Sequence, residues 1–310
     1  MDLKQCGSTG LYLSVIGIGT LTWGRDTDGP EALDMLRRFV DAGGNLVECS
    51  ASHGDGMAVD ILSEALSAVG RHRVAVAWRG GVRRASEGAW VSAAGRGDLL
   101  RSLDDALARL DTDYVDVWMV EPRPEVPLEE TLEAATAAYR SGRARYVGLS
   151  HATHWQLAEA VTRGVVGASA PISVVEFPFS LADTTRAATV AELSQRGVGV
   201  IAASALAGGA LTGKYRHSTP ADSRAASPHL RHLVEGYLMG PARGVIEAAS
   251  RAGAGLERST GDVALAWVRD YPGITSALIG PRTLRQLETL LDYTDPLPAP
   301  IRQVLSEVAQ

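Results

Sequence analysis

Ser14-Val15-Ile16-Gly17-Ile18-Gly19-Thr20-Leu21-Thr22-Trp23-Gly24 is the stretch on which the fold turns. It holds the first β-branched run, where an open doubly wound sheet would carry Gly-x-Gly-x-x-Gly between its first strand and first helix. Gly17 and Gly19 are present, but Thr20-Leu21-Thr22-Trp23 follows, so the fingerprint is missing. Seven further runs lie downstream, at Asn45–Cys49, Arg73–Trp78, Tyr114–Val120, Arg145–Ser150, Ile172–Glu176, Val198–Ser204 and Thr275–Gly280. Stretches of helical periodicity separate them, among them Glu31–Ala42, Asp98–Leu110, Leu128–Tyr139, Trp155–Thr162 and Thr185–Arg196. Strands alternating with helices imply parallel βα units. With the first run, Ser14–Thr20, there are eight, which predicts an α/β fold of the (β/α)8, or TIM, barrel type, with residues 1–310 as one domain.

Two segments interrupt the alternation. Lys4 to Ser14, with a Ser-Thr-Gly turn, reads as an N-terminal hairpin before the barrel. Ala207 to Gly240 is rich in Gly, Ser, Pro and His without clear periodicity, and reads as a lid-like loop over the barrel mouth before the last strand. A helix near Ile301–Val308 closes the chain.

Bulk properties work by exclusion. A net charge of −6 on 310 residues argues against nucleic acid as a partner, since phosphate binding needs a basic face. No run of about 18 apolar residues exists to span a membrane. The N-terminus has no basic stretch leading into an apolar one, so no signal peptide is read. Cys6 and Cys49 are the two cysteines, too few for a disulfide framework or a zinc motif. A cytoplasmic protein with a small-molecule substrate is expected, and the sequence carries no signal of oligomeric state. Only Lys4 and Lys214 are lysines among 30 basic residues, a bias that with abundant Ala and Gly suggests a GC-rich genome and a place in specialised metabolism.

Gly17-Ile18-Gly19-Thr20-Leu21-Thr22-Trp23-Gly24 resembles the opening of a bacterial aldo-keto reductase. So do Leu110-Asp111-Thr112-Asp113-Tyr114-Val115-Asp116, Gly142-Arg143 through Val147-Gly148-Leu149-Ser150, and Leu211-Thr212-Gly213-Lys214-Tyr215. Val263-Ala264-Leu265-Ala266-Trp267-Val268 and Gly280-Pro281-Arg282-Thr283 complete blocks that cover nearly the whole chain in order. The resemblance implies NADPH-dependent carbonyl reduction by an Asp, Tyr, Lys and His tetrad at the C-terminal mouth of the barrel.

All four tetrad positions differ here. Where the family reads Asn-x-x-Asp-Thr-Ala-x-x-Tyr-Gly, this chain runs from Asn45 to Gly54 with Glu48 at the Asp position and His53 at the Tyr position. The Lys position is Arg79 and the His position is Glu121. A guanidinium stays protonated where a lysine is tunable, and a histidine titrates near neutrality where a tyrosine needs help. In the double-bond-reducing branch of the family a Glu stands at the last position, but there the Tyr and Lys remain. Four ionisable side chains at the predicted mouth point to a rebuilt active site.

The cofactor positions implied by the resemblance are altered as well. Ser150 is kept, but the Asn that follows is His151, and the Gln of the sixth strand is Glu176, or Val175 if the register slips by one. The aromatic that stacks on nicotinamide is Ala203. At the adenine end Gly280, Arg282 and Gln286 survive, while the usual Glu-Asn pair is Thr289-Leu290. The cofactor is therefore expected to be none, or NADP held through what is left.

Other residues have plainer readings. Trp23 and Trp78, beside strand ends, are candidate substrate walls. Cys49 follows Glu48 on a strand and should point the opposite way, into the core. For His151 and His154, three apart at a helix start, a cap or surface position is favoured over a metal site with Glu176, and no metal is predicted. Three functions fit. The first is cofactor-independent lyase, isomerase, dehydratase or cyclase chemistry on a small carbonyl-containing metabolite, with His53 moving the proton, Glu121 or Glu48 its partner, and Arg79 the anchor. The second is an NADP-dependent reductase of a carbonyl or enone with His53 as proton donor. The third is a catalytically inactive scaffold or auxiliary protein.

Overall fold

The computed structural model describes residues 1–292 and 295–309. The N-terminal hairpin is β1 (Leu3–Gln5) and β2 (Tyr12–Ser14). There follow β3 (Ile16–Gly19), α1 (Gly29–Asp41), β4 (Leu46–Ser50), α2 (Ala58–Val69) and β5 (Ala75–Gly80). A second hairpin, β6 (Val82–Arg84) with β7 (Trp90–Ser92), precedes α3 (Arg96–Arg109) and β8 (Val115–Val120). Next come α4 (Leu128–Arg140), β9 (Ala144–Ser150), α5 (His154–Val165), β10 (Ile172–Pro178), α6 (Ala187–Gln195) and β11 (Gly199–Ala203). The last elements are α7 (Pro241–Leu256), α8 (Thr260–Arg269), β12 (Ile274–Ile279), α9 (Leu284–Leu291) and α10 (Ala299–Val308). Strands β3, β4, β5, β8, β9, β10, β11 and β12 close, all parallel, into one barrel. The predicted eight-stranded barrel is what the chain forms.

Alternation along the strands decides which side chains can do chemistry. Leu46, Ala75, Ala77, Val117, Met119, Val174, Ile201 and Leu278 face inward and pack with Cys6, Leu11 and Leu13 of the hairpin, which plugs the floor. Val47, Cys49, Val76, Trp78, Trp118, Val147, Val175 and Phe177 face outward into the helix layer. By the same parity Glu48, Arg79, Ser150 and Glu176 point inward, one layer nearer the C-terminal mouth. On the outer side of the sheet, Asp116 ties β5 to β8 by accepting from Arg71 at 2.8 Å and from the Val76 amide at 2.9 Å.

The structure departs from the sequence reading in two places. Hairpin β6–β7 has no counterpart in that reading, because three-residue strands are too short to show a period. The segment predicted as a lid-like loop carries short 3-10 turns at Ala207–Thr212, Arg224–Ala226, Arg231–Leu233 and Glu235–Tyr237, and then enters α7. Arg224 in that segment donates from Nη2 to the Gly280 carbonyl at 2.9 Å, which pins it across the mouth end of β12.

Candidate active site

Glu48, His53, Arg79 and Glu176 meet at the mouth. Glu48 comes from β4, Arg79 from β5 and Glu176 from β10, while His53 enters on the turn after β4. That turn needs its glycine: Gly54 has φ 56°, and a Cβ there would overlap the Trp23 carbonyl oxygen.

The hydrogen bonds fix the proton on His53. Arg79 Nη2 stands 2.9 Å from His53 Nε2, and an arginine can only donate. Nε2 is therefore the acceptor, the ring is neutral, and its proton sits on Nδ1, which faces Thr20 Oγ1 at 3.1 Å. Burial, and then the Arg79 charge, hold the His53 pKa well below 6.5. Glu48 moves the other way. Burial pushes its carboxyl up to about 8, against the attraction of Arg79 and with the repulsion of Glu176. Burial lowers Arg79, but Glu48, Glu176 and Glu121 together outweigh it and raise its pKa. Burial thus favours the protonated form of Glu48, while His53 is a neutral ring that accepts at Nε2. The sequence reading gives proton transfer to His53; in the structure Arg79 occupies its Nε2 and Thr20 faces its Nδ1.

Glu121 and Glu176 also change places relative to expectation. Glu121 pairs with Arg123 at 2.9 Å. The carboxylates beside Arg79 are Glu48, 3.7 Å from Nε, and Glu176, 3.7 Å from Nη1. Both separations exceed the roughly 2.7–2.9 Å of a charge-assisted hydrogen bond. Glu48 Oε1 and Glu176 Oε2 are buried without a hydrogen-bond partner. Glu176 Oε1 accepts from Ser150 Oγ at 3.0 Å, and Ser150 Oγ lies 2.7 Å from His151 Nδ1. Register places Glu176 beside Ser150, which settles the sixth-strand position on Glu176, since Val175 faces the helix layer.

Neither predicted substrate wall faces the mouth. Trp78 has outward parity and Trp23 is packed in the same helix-side layer, with 1% and 0% of their surface exposed. Cys49 shares that layer, and burial raises its thiol to about 12. His154 opens α5 beside its capping residue Thr153, with Nε2 3.4 Å from Glu192. Two surface grooves of about 360 and 230 Å³ lie elsewhere, one on the outer wall along Leu107, Asp111 and Arg143, the other at the floor by Lys4, Ser8 and Gly197. At the mouth 22% of the Arg79 side chain is exposed, against 7% of Glu48 and 2% of His53.

The cofactor positions divide in two. At the β12 end, Arg224 and Arg282 each bury an Nε without a partner, and burial followed by the Arg282 charge lowers the Arg224 pKa. No salt bridge to either is found among the described residues. Two guanidinium groups that act on each other, with no carboxylate in salt-bridge contact and Asp26 further off, fit a phosphate. Arg224 escapes a reading of the sequence because it sits in the irregular segment. Gln286 is used locally, its Oε1 accepting from the Arg282 amide at 3.0 Å. At the other end Ser150, His151 and Glu176 hydrogen-bond to one another, and Ala203 offers no ring, so these residues do not fit a nicotinamide.

Residues 15–304 match the Aldo/keto reductase family, and the chain belongs to it. It is 27% identical to a probable voltage-gated potassium channel subunit beta of Oryza sativa subsp. japonica, over 99% of this chain and 95% of that one. It is 26% identical to the aldo-keto reductase YhdN of Bacillus subtilis, over 95% and 89%. Among solved structures, the holo form of the aldo-keto reductase AKR11C1 from Bacillus halodurans superposes with a TM-score of 0.81 at 20% identity, covering 100% of this chain and 97% of that one. No helix among the described residues is long and apolar enough to cross a membrane.

Proposed function

We propose that this member of the aldo-keto reductase family is an enzyme that transfers protons, without hydride transfer, on a small carbonyl-containing metabolite. One observation carries the reading: the buried Glu48 carboxyl, its pKa pushed up by burial, stands beside a guanidinium whose Nε and Nη1 lie 3.7 Å from Glu48 and Glu176, too far to be satisfied by either. A carbonyl oxygen that reaches the exposed edge of the guanidinium accepts from Arg79, which stabilises the negative charge that develops when a neighbouring C–H is broken. The Glu176 carboxylate across the guanidinium takes the proton released from carbon, Glu48 gives its proton to the carbonyl oxygen, and His53 holds Arg79 in orientation. Dehydration, isomerisation and cyclisation all draw on that set.

A second reading, an NADP-dependent reductase, is favoured by the unpaired Arg224 and Arg282. Those two residues fit the phosphates of such a cofactor, which would supply hydride. The nicotinamide end does not fit, and no step is derived through it. The experiment is solvent exchange: the protein is incubated in D2O with a panel of small hydroxy-carbonyl compounds, with and without NADPH, and deuterium at the carbon next to the carbonyl is followed by NMR. Incorporation without NADPH, lost in Glu48→Gln, is the expected result. Consumption of substrate only with NADPH replaces this reading with the reductase. Inertness toward the panel together with capture of a partner chain would leave the scaffold role suggested by the names of the channel-subunit relatives.

A further inference from the structure

Three left-handed residues in a row follow His53, and a part of the chain outside the barrel holds them. Gly54, Asp55 and Gly56 have φ of 56°, 57° and 93°. Two of them are glycines; Asp55 is not, and a side chain is disfavoured in this region. Its carboxylate is caught by hairpin β6–β7. Trp90 Nε1 donates to Asp55 Oδ1 at 2.9 Å, and Arg84 Nη2 donates to both oxygens at 3.2 Å. The Trp90 indole also covers Gly56, where a Cβ would come within 3.2 Å of it, and Arg84 lies over the indole at 5.4 Å. Arg109 of α3 completes the grip by donating to the Gly56 carbonyl at 2.6 Å.

His53 is the residue that this turn delivers. Its ring must present Nδ1 to Thr20 and Nε2 to Arg79 at once, and the two hydrogen bonds together permit one ring orientation. We propose that hairpin β6–β7 sets the proton state of His53 through this turn, with Trp90, Arg84 and Asp55 as positioning residues that keep Nε2 on Arg79. Released from the hairpin, the turn relaxes toward ordinary backbone, the ring leaves the guanidinium, and Nε2 becomes free to take a proton. The groups that face Asp55 are Trp90, Arg84 and Arg25; first the Trp90 bond and then the Arg84 charge hold its carboxyl below the usual range. Those that face His53 are Thr20, Glu48 and Arg79. An exposed hairpin thereby governs a buried group that it does not touch. The proposal rests on the reading of Glu48, His53 and Arg79 as the working cluster, but not on which reaction they run.

The test needs no substrate. Ring nitrogens of the seven histidines are followed by NMR across pH in the full-length protein and in Trp90→Phe, Asp55→Ala and Asp55→Asn. Wild-type His53 is expected to stay an Nδ1–H neutral ring with no titration near 6.5. In Trp90→Phe and Asp55→Ala it should begin to titrate, with a midpoint about one pH unit or more higher, while the other six histidines do not move. Asp55→Asn keeps an acceptor for Trp90 and tolerates the left-handed region, so it should restore the wild-type signature. Should Asp55→Ala fail to fold, Trp90→Phe and Arg84→Ala on the exposed hairpin carry the test. An unchanged His53 in folded variants overturns the proposal and leaves the cluster standing. A wild-type His53 that already titrates near 6.5 overturns both.

Discussion

Replacing Glu48 by Gln should make the protein more stable, by an amount that depends on pH. The amide side chain copies the protonated carboxyl in size and charge but cannot ionise. Glu48 is 7% exposed and has its pKa raised from 4.5 to about 8, chiefly by burial. The folded state therefore holds a proton over a window in which the unfolded chain has already released it. Where the native state binds more protons, stability falls as pH rises. The loss begins above about 4.5 and is complete above about 8. At about 1.4 kcal/mol per tenfold change, the effect reaches at most about 5 kcal/mol, and rearrangement around Arg79 will keep it lower. Urea unfolding of wild type and Glu48→Gln at pH 5, 6.5 and 8.5 measures it. The two proteins should differ by about 1 kcal/mol or less at the lowest pH and separate by several kcal/mol, on the order of 1 M in midpoint, at the highest. The contribution of His53 is common to both proteins and cancels in the difference. A gap that is flat across this range would falsify the assignment of the proton to Glu48.

Other perturbations probe the remaining links. Arg79→Met removes the one guanidinium between two buried carboxyl groups and should cost about 3–5 kcal/mol, read as a lower melting temperature, with part of the loss recovered in the Glu48→Gln, Arg79→Met double variant. Gly54→Ala meets the Trp23 carbonyl and adopts a left-handed backbone; a loss of about 3 kcal/mol or more, or failure to accumulate folded protein, is expected by circular dichroism. Arg224→Ala and Arg282→Ala should each weaken inorganic pyrophosphate binding about tenfold by calorimetry, a cost of about 1.4 kcal/mol. Equal affinity in all three proteins would mean that the pair is no anion site.

The barrel was legible because its strands, buried on both faces, stand out as β-branched runs between stretches of helical periodicity. The hairpin β6–β7 was not, since Val82-Arg83-Arg84 and Trp90-Val91-Ser92 are too short for any period to appear. Glu48, His53 and Arg79 could be placed together by their strand ends. Which of them carries the proton could not, because that depends on a 2.9 Å contact from Arg79 to one nitrogen of a ring. Trp78 was misplaced for want of parity counted from Ala77. Arg224 carries no local pattern, and only folding sets it beside Arg282.

The central claim is that Glu48 holds a proton at neutral pH within the barrel mouth. Carboxyl-carbon NMR of glutamate-labelled protein, with Glu48→Gln to assign the signal, tests it most directly. A Glu48 resonance that titrates near pH 8 is the predicted result. A midpoint near 4.5 would contradict it, returning the proton-transfer role to some other group and removing the acid from the proposed reaction.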